Sequence, residues 1–257
     1  MTTPRTYQTE AIVIRKTKLG EADTILTLYT PRLGKIQGFA KSLRKTKSRM
    51  AGHLELLTHS LVSLARGRNI DTITGSQTIN SFLPLKTDLD LTSYGLYVIE
   101  LVNQFTPEHL ENDSVFELLK ETLDSLCRSD DRELTLRYFE MKLLDSLGYR
   151  PQLRNCVHCR KTLEPVINTF SPSAGGILCP DCGNSQLSAY PLSVNALKVM
   201  RLMQEHGLET VERLKMNERL SREIEIIMRN YLRYLLEKEV KSAAWLDALR
   251  AGNSRKV

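Results

Sequence analysis

Four cysteines stand in two pairs, Cys156-x2-Cys159 and Cys179-x2-Cys182, with 19 residues between the pairs. Two thiolates two residues apart can hold one metal ion where the chain reverses in a tight knuckle, and two knuckles complete a tetrahedral four-sulfur site. That is the composition of structural zinc, and with four protein sulfurs it leaves no position for water or substrate. The expected cofactor is therefore one structural zinc ion per chain. Gly183, directly after Cys182, would ease the second turn. A pair of redox dithiols is the alternative chemistry for this spacing. His158, inside the first knuckle, is a further candidate ligand, although a solvent-facing residue is the commoner occupant there. Cys127, the fifth cysteine, lies on the apolar side of a helical pattern and reads as a small buried hydrophobe.

A second set of residues could neutralise phosphate. Lys35, Lys41, Arg44, Lys45, Lys47 and Arg49 lie within fifteen residues that contain no acid, and Arg66 and Arg68 follow at a later turn. Contacts of this kind bring affinity without sequence specificity and weaken steeply with salt. Tyr29 and Phe39 could add stacking platforms for unpaired bases; the opposing reading has both rings filling a barrel interior, and it is the stronger one for Phe39. The net charge of +6 is concentrated in this part of the chain. Residues 1–80 hold 13 Lys and Arg against 5 Asp and Glu, or +8, while the other 177 hold 23 against 25, or −2. Such asymmetry suggests that one part binds a polyanion while the rest meets other partners.

The elements that must carry these residues are of two kinds. Ala11–Ile14, Thr24–Tyr29 and Lys35–Phe39 are short β-branched or alternating segments, separated by turns at Leu19-Gly20 and Pro31–Gly34. Leu54–Leu64 and Asn69–Ile79 supply two more. Five strands without an intervening helix predict an α+β chain that opens with a five-stranded barrel of the oligonucleotide-binding (OB) type; an SH3-like barrel would read almost the same. After Pro84 the period becomes helical. Tyr94 to Phe105 form one stripe, Ser114-x-x-Glu117 opens a second helix as a capping box, and Leu134 to Leu144 form a third closed by Gly148. Helical spacing returns at Ser193–His206 and from Glu218 to Lys241. The expected division is a basic OB-type barrel over 1–80 able to bind a polyanion, helical parts over 81–150 and 191–249, a zinc module over 151–190 and a flexible tail over 250–257. The two helical parts would bury their stripes against each other as one domain.

Several functions are argued against. There is no phosphate-binding loop, no His-Glu-x-x-His and no Gly-x-Ser-x-Gly. The histidines, at 53, 59, 109, 158 and 206, are scattered, and acidic pairs such as Asp88 and Asp90 or Asp130 and Asp131 sit where helix capping explains them. No catalytic constellation emerges, so the chain does not read as an enzyme. With no long apolar run and no apolar leader at its start, it reads as cytoplasmic.

At the level of motifs the chain resembles the bacterial recombination mediator family RecO. Leu19-Gly20-Glu21-Ala22-Asp23, Leu28-Tyr29-Thr30, Leu33-Gly34-Lys35, Ala40-Lys41 and Lys47-Ser48-Arg49 are similar to that family's barrel. Arg137-Tyr138-Phe139-Glu140, Leu143 to Tyr149, Pro151 and the cysteines match farther on, in the same order. The resemblance implies DNA repair and recombination: binding of single- and double-stranded DNA, annealing of complementary strands, work with RecR, binding of the acidic C-terminal tail of the single-strand-binding protein, and indirectly the loading of RecA. Lys198 and Arg201 are among the positions at which such a tail could dock. The competing readings are a zinc-ribbon or OB factor of transcription or RNA metabolism and, for an enzyme, a metal-dependent nuclease, against which the lack of a carboxylate cluster argues.

Overall fold

The computed structural model describes residues 5–184 and 188–253, the side chains only as far as residue 248. Strands β1 (Thr6–Leu19), β2 (Asp23–Thr30), β3 (Gly34–Ala40), β4 (His59–Ala65) and β5 (Asp71–Asn80) close a barrel in the order β1-β2-β3-β5-β4. All neighbours are antiparallel except β3 and β5, which run parallel with Gly38 opposite Asp71. That crossing gives the five-stranded Greek-key order of the OB type.

The first strand is long because it serves two partners. Thr6 to Ile12 pair with β4, Ile12 to Leu19 pair with β2, and a bulge between Val13 and Arg15 bends the strand. The strand segment 54–64 expected from sequence starts late, because Ala51–Leu54 form a 3-10 turn and pairing begins only at His59. Alternate residues fill the interior: Val13, Leu26, Leu28, Ile36, Val62 and Leu64 form its core. Gly38 admits Ile73 there, since a Cβ would lie 2.9 Å from its side chain.

Helices follow: α1 (Pro84–Thr87), α2 (Leu89–Phe105), α3 (Asp113–Arg128) and α4 (Arg132–Ser146). Asp88 and Asp131 cap α2 and α4 through bonds of 3.0 Å from the amides of Leu91 and Leu134. The start of α3 differs from expectation. Its cap is Asn112, which accepts from the Val115 amide at 3.1 Å, so Ser114 lies inside the helix. Gly148 closes α4 as expected: at φ +82° it lets the amides of Gly148 and Tyr149 reach the carbonyls of Asp145 and Leu144.

Next come β6 (Asn168–Ser171), β7 (Gly176–Leu178), α5 (Pro180–Gly183) and β8 (Tyr190–Leu192), whose strands form a small sheet in the order β7-β6-β8. The chain ends with α6 (Val194–Glu205), α7 (Leu208–Val211), α8 (Glu218–Leu236) and α9 (Lys241–Asn253). The last two replace the single helix expected to Lys241. Glu237 takes a left-handed conformation at φ +55°, and both carboxylate oxygens of Glu100 receive the first amides of α9, from Lys241 and Ser242 at 3.0 and 2.8 Å. Residues 250–253 of the expected tail therefore belong to α9, and 254–257 lie outside the described residues.

Packing divides the described residues into two compact units, 5–128 with 240–253, and those of 129–239. The helices expected to share one domain fall in both units, α1, α2, α3 and α9 in the first and α4, α6, α7 and α8 in the second. In the first unit, α2 and α3 lie against each other and against the barrel strands, with α9 on α2. The fully buried Ile12 and Tyr29 supply apolar area on the barrel's outer face, so the helical stripes are satisfied there. In the second unit, α4 packs with α6, α7 and α8. Its amphipathicity is slight because it is buried on nearly every side, including Arg137 and Glu140, whose charged groups meet at 2.9 Å.

Candidate metal centre and nucleic-acid interface

The two cysteine knuckles are built by different local means. In the first, the Arg160 amide bonds to the Cys156 carbonyl at 2.9 Å, and Arg160 turns the chain with φ +64°. In the second, Cys179 precedes α5, and the amides of Cys182 and Gly183 return to its carbonyl at 3.1 and 2.8 Å. Gly183 is needed for space and not for a left-handed turn: a Cβ would stand 2.7 Å from Thr169 Oγ1. The Val157 amide, bonded to the Ile177 carbonyl at 2.8 Å, ties the first knuckle to the sheet that carries the second.

As a result the sulfurs of Cys156, Cys159, Cys179 and Cys182 all lie within 4.8 Å of one another, and Cys159 and Cys179 are 3.7 Å apart. A tetrahedral zinc site with bonds of about 2.3 Å needs sulfurs about 3.8 Å apart, so the donor set fits that ion. Burial favours the neutral Cys156 thiol, yet amides of Cys179, Cys159 and His158 donate to its sulfur and bring it down to about 6. Cys182 is pushed the other way, first by hydrogen bonding with Cys179. His158 stands beside the set, with Nδ1 3.6 Å from the Cys182 sulfur. Cys127 is half-buried, and burial raises its thiol.

The phosphate-binding candidates do not all gather in one place. Lys41, Arg44, Lys45, Lys47 and Arg49 are exposed on the loop of residues 41–50 between β3 and the 3-10 turn. That loop is fastened to the barrel: Leu43 is buried in its core, the Arg44 amide bonds to the Ala22 carbonyl at 3.0 Å, and the Ser42 amide bonds to Asp23 at 2.6 Å. The Arg44 guanidinium also donates to the carbonyl of Gly20, so one cation joins the loop to the β1–β2 turn. Arg15 and Lys18, exposed on the outer half of β1 that leads into this turn, extend the basic surface. Neither was among the residues expected from sequence to meet phosphate; the signal was the run Arg15-Lys16-Thr17-Lys18.

Two of the expected contacts, Lys35 and Tyr29, are corrected by position, and so is the expected interior place of Phe39. Lys35 is buried, and its ammonium donates to the Asn103 carbonyl at 2.7 Å. Tyr29 is completely buried, its hydroxyl has no hydrogen-bond partner among the described residues, and burial pushes it up to about 12; it cannot stack on a base. Phe39, expected inside the barrel, is instead half-buried on the outer face, because Ile36 and Ala40 take the inward places in β3. Arg66 and Arg68 are exposed on the 66–70 turn. The pairing of Gly38 with Asp71 runs that turn beside Ile36 and Gln37, whereas the 41–50 loop leaves β3 beyond Ala40. Among the possible tail-docking cations, Arg201 is engaged, bonding to the Leu153 carbonyl at 2.8 Å.

The structure thus combines an OB-type barrel carrying a fastened basic loop with a helical unit carrying four cysteines placed to hold a metal ion. The family described as Recombination protein O matches this chain twice, with its N-terminal part over residues 1–82 and its C-terminal part over residues 86–244. The DNA repair protein RecO of Dehalococcoides mccartyi strain CBDB1 is 52% identical over 250 residues, 97% of this chain and 98% of that protein. The RecO proteins of Roseiflexus sp. strain RS-1 and Pelotomaculum thermopropionicum are 43% and 37% identical, over 96% and 94% of this chain and 87% and 93% of their own lengths. The chain belongs to the RecO family of DNA repair proteins.

Proposed function

We propose that the protein is a non-enzymatic recombination mediator that binds single- and double-stranded DNA, anneals complementary strands and helps load a recombinase onto single strands covered by the single-strand-binding protein. The observation that carries this reading is the exposed, acid-free loop of residues 41–49 fastened by its backbone to the barrel. Annealing brings two mutually repelling polyanions together, and cations that neutralise phosphates leave base edges free to pair. The second unit contributes a structural zinc centre and surface for protein partners, RecR among them and RecA indirectly.

The acidic tail of the single-strand-binding protein suits a groove of about 550 Å3 in the second unit. Exposed Ile167 and Ile226, with Tyr190 and Pro191, offer apolar contact, and Arg219 and Arg222 flank them as partners for a carboxylate. The role proposed is a cytoplasmic, nucleoid-associated one, and no helix among the described residues is long and apolar enough to cross a membrane. Strand annealing tests the reading. Purified protein should speed pairing of complementary strands, bare or covered by the matching single-strand-binding protein, without ATP and without cleaving DNA in Mg²⁺. A requirement for nucleotide hydrolysis, or no acceleration on either substrate, would overturn it.

A further inference from the structure

A second cavity lies on the barrel away from the 41–50 loop, with a volume of about 390 Å3, within the range of about 300–1,000 Å3 typical of small-ligand pockets. Three segments enclose it: the β2–β3 turn with Arg32 and Leu33, the β4–β5 turn with Arg66 and Asn69, and the stretch after α2 with Glu108, His109 and Glu111. These segments are pinned. Gly34 has φ +62°, and a Cβ there would fall 1.9 Å from the Leu110 carbonyl oxygen. The His109 amide bonds to the Lys35 carbonyl at 2.9 Å, and Glu108 extends the sheet beside Lys35 as a parallel bridge. The Gly67 amide bonds to Asp71 at 2.9 Å, and Tyr7 donates to the same carboxylate at 2.6 Å.

The lining carries both charges. Its cations are Arg32 and Arg66, the latter stacked 4.9 Å over the Tyr7 ring. Its carboxylates are Glu108, held by Gln37 at 2.6 Å, Glu111, and Asp71, which Tyr7 and the Gly67 amide already engage. Acceptors repel phosphate but match the N–H donors of a base, and a carboxylate meets the ring N–H and amino group of guanine together. A paired base has that edge occupied and cannot enter. Resting on the DNA-binding reading above, we infer that this cavity holds one unpaired nucleotide, guanine best, with its phosphate toward Arg32 and Arg66 and its base edge toward Glu108 and Glu111. The barrel thereby distinguishes single strands from duplex, which the 41–50 loop, reading charge alone, does not.

The test uses the full chain and fluorescence anisotropy at fixed salt with oligo-dT carrying one central dG, the same oligonucleotide with one abasic position, and a duplex. The dG strand should bind about fivefold or more tighter than the abasic one, as a well-placed paired contact to a base discriminates. Glu108→Gln with Glu111→Gln should erase that preference while leaving the duplex within twofold. If these carboxylates only repel DNA, the same variant will bind every substrate more tightly, which overturns the inference. Equal binding of dG and abasic strands by the unaltered protein also overturns it and leaves the general DNA-binding reading standing. Failure to bind any of the three substrates defeats both.

Discussion

The ammonium of Lys35 donates a 2.7 Å hydrogen bond to the carbonyl of Asn103, joining β3 to the last turn of α2. A cation that reads in sequence as part of a phosphate-binding run thus serves to hold a helix on the barrel. Lys35→Ala should cost about 1.5–3 kcal/mol, the range for hydrogen bonds to charged groups. Urea unfolding should register that loss, while the salt dependence of DNA binding stays as in the unaltered protein. A flatter salt dependence would return Lys35 to the interface.

The exposed loop should behave in the opposite way. Charge reversal at Arg44, Lys45 and Lys47 should weaken DNA binding, and because all three side chains are exposed the unfolding midpoint should fall only by what the Arg44 bond to the Gly20 carbonyl contributes. For every phosphate no longer neutralised, the log–log salt slope should fall by about 0.7 for single strands and about 0.9 for duplex. Neutralising Arg15 and Lys18 should lower it further. Titrations between low and moderate salt give the slopes directly.

Replacing Cys179 and Cys182 with Ser should abolish stoichiometric zinc and lower the melting temperature, because only two of the four ligands remain and the knuckles are no longer cross-linked. Treatment of the unaltered protein with a strong chelator should have the same effect on melting. Metal analysis and calorimetry check both. A variant that melts like the parent and retains one equivalent of zinc would refute the structural role.

Arg137 and Glu140 form an ion pair with side chains only 1% and 0% exposed. Arg137→Met alone leaves a carboxylate in the interior and should cost about 3–5 kcal/mol, whereas Arg137→Met with Glu140→Leu should recover much of that loss. A double-mutant cycle by denaturant unfolding measures the coupling. Additive losses would mean that the pair contributes nothing as a pair.

Burial lowers the His59 imidazole below its ordinary value, outweighing the Glu10 carboxylate 2.9 Å away and the nearby Glu117; Lys120 acts in the same direction as burial. The folded protein therefore favours neutral His59 more than the unfolded chain does. The stability it contributes is full above the unfolded value of about 6.5 and falls away as pH drops toward the lower folded value. Melting at pH 7 and pH 5 should show a loss that His59→Gln diminishes. An identical pH dependence in that variant would assign the effect to other groups.

What the residues determined alone was whatever depends on near neighbours along the chain. The cysteine spacing specified a four-sulfur set, because a two-residue gap closes a knuckle locally. Alternation in β1 to β5 and the glycine after α4 placed strands and a helix end for the same reason. Tertiary structure decided matters in which a local pattern is compatible with two environments. Tyr29 and Phe39 belong to similar alternating strands, and only the helices laid over the barrel bury one completely and leave the other half-exposed. Lys35 and Lys41 carry the same charge, but only the first faces the end of a helix. The break between α8 and α9 has no glycine or proline to mark it, because the second helix is capped by Glu100, more than a hundred residues earlier in the chain. The division into two units follows the same rule. Amphipathic stripes state that a helix must be covered, and only tertiary packing decides whether the barrel covers it, as for α2 and α3, or other helices do, as for α4.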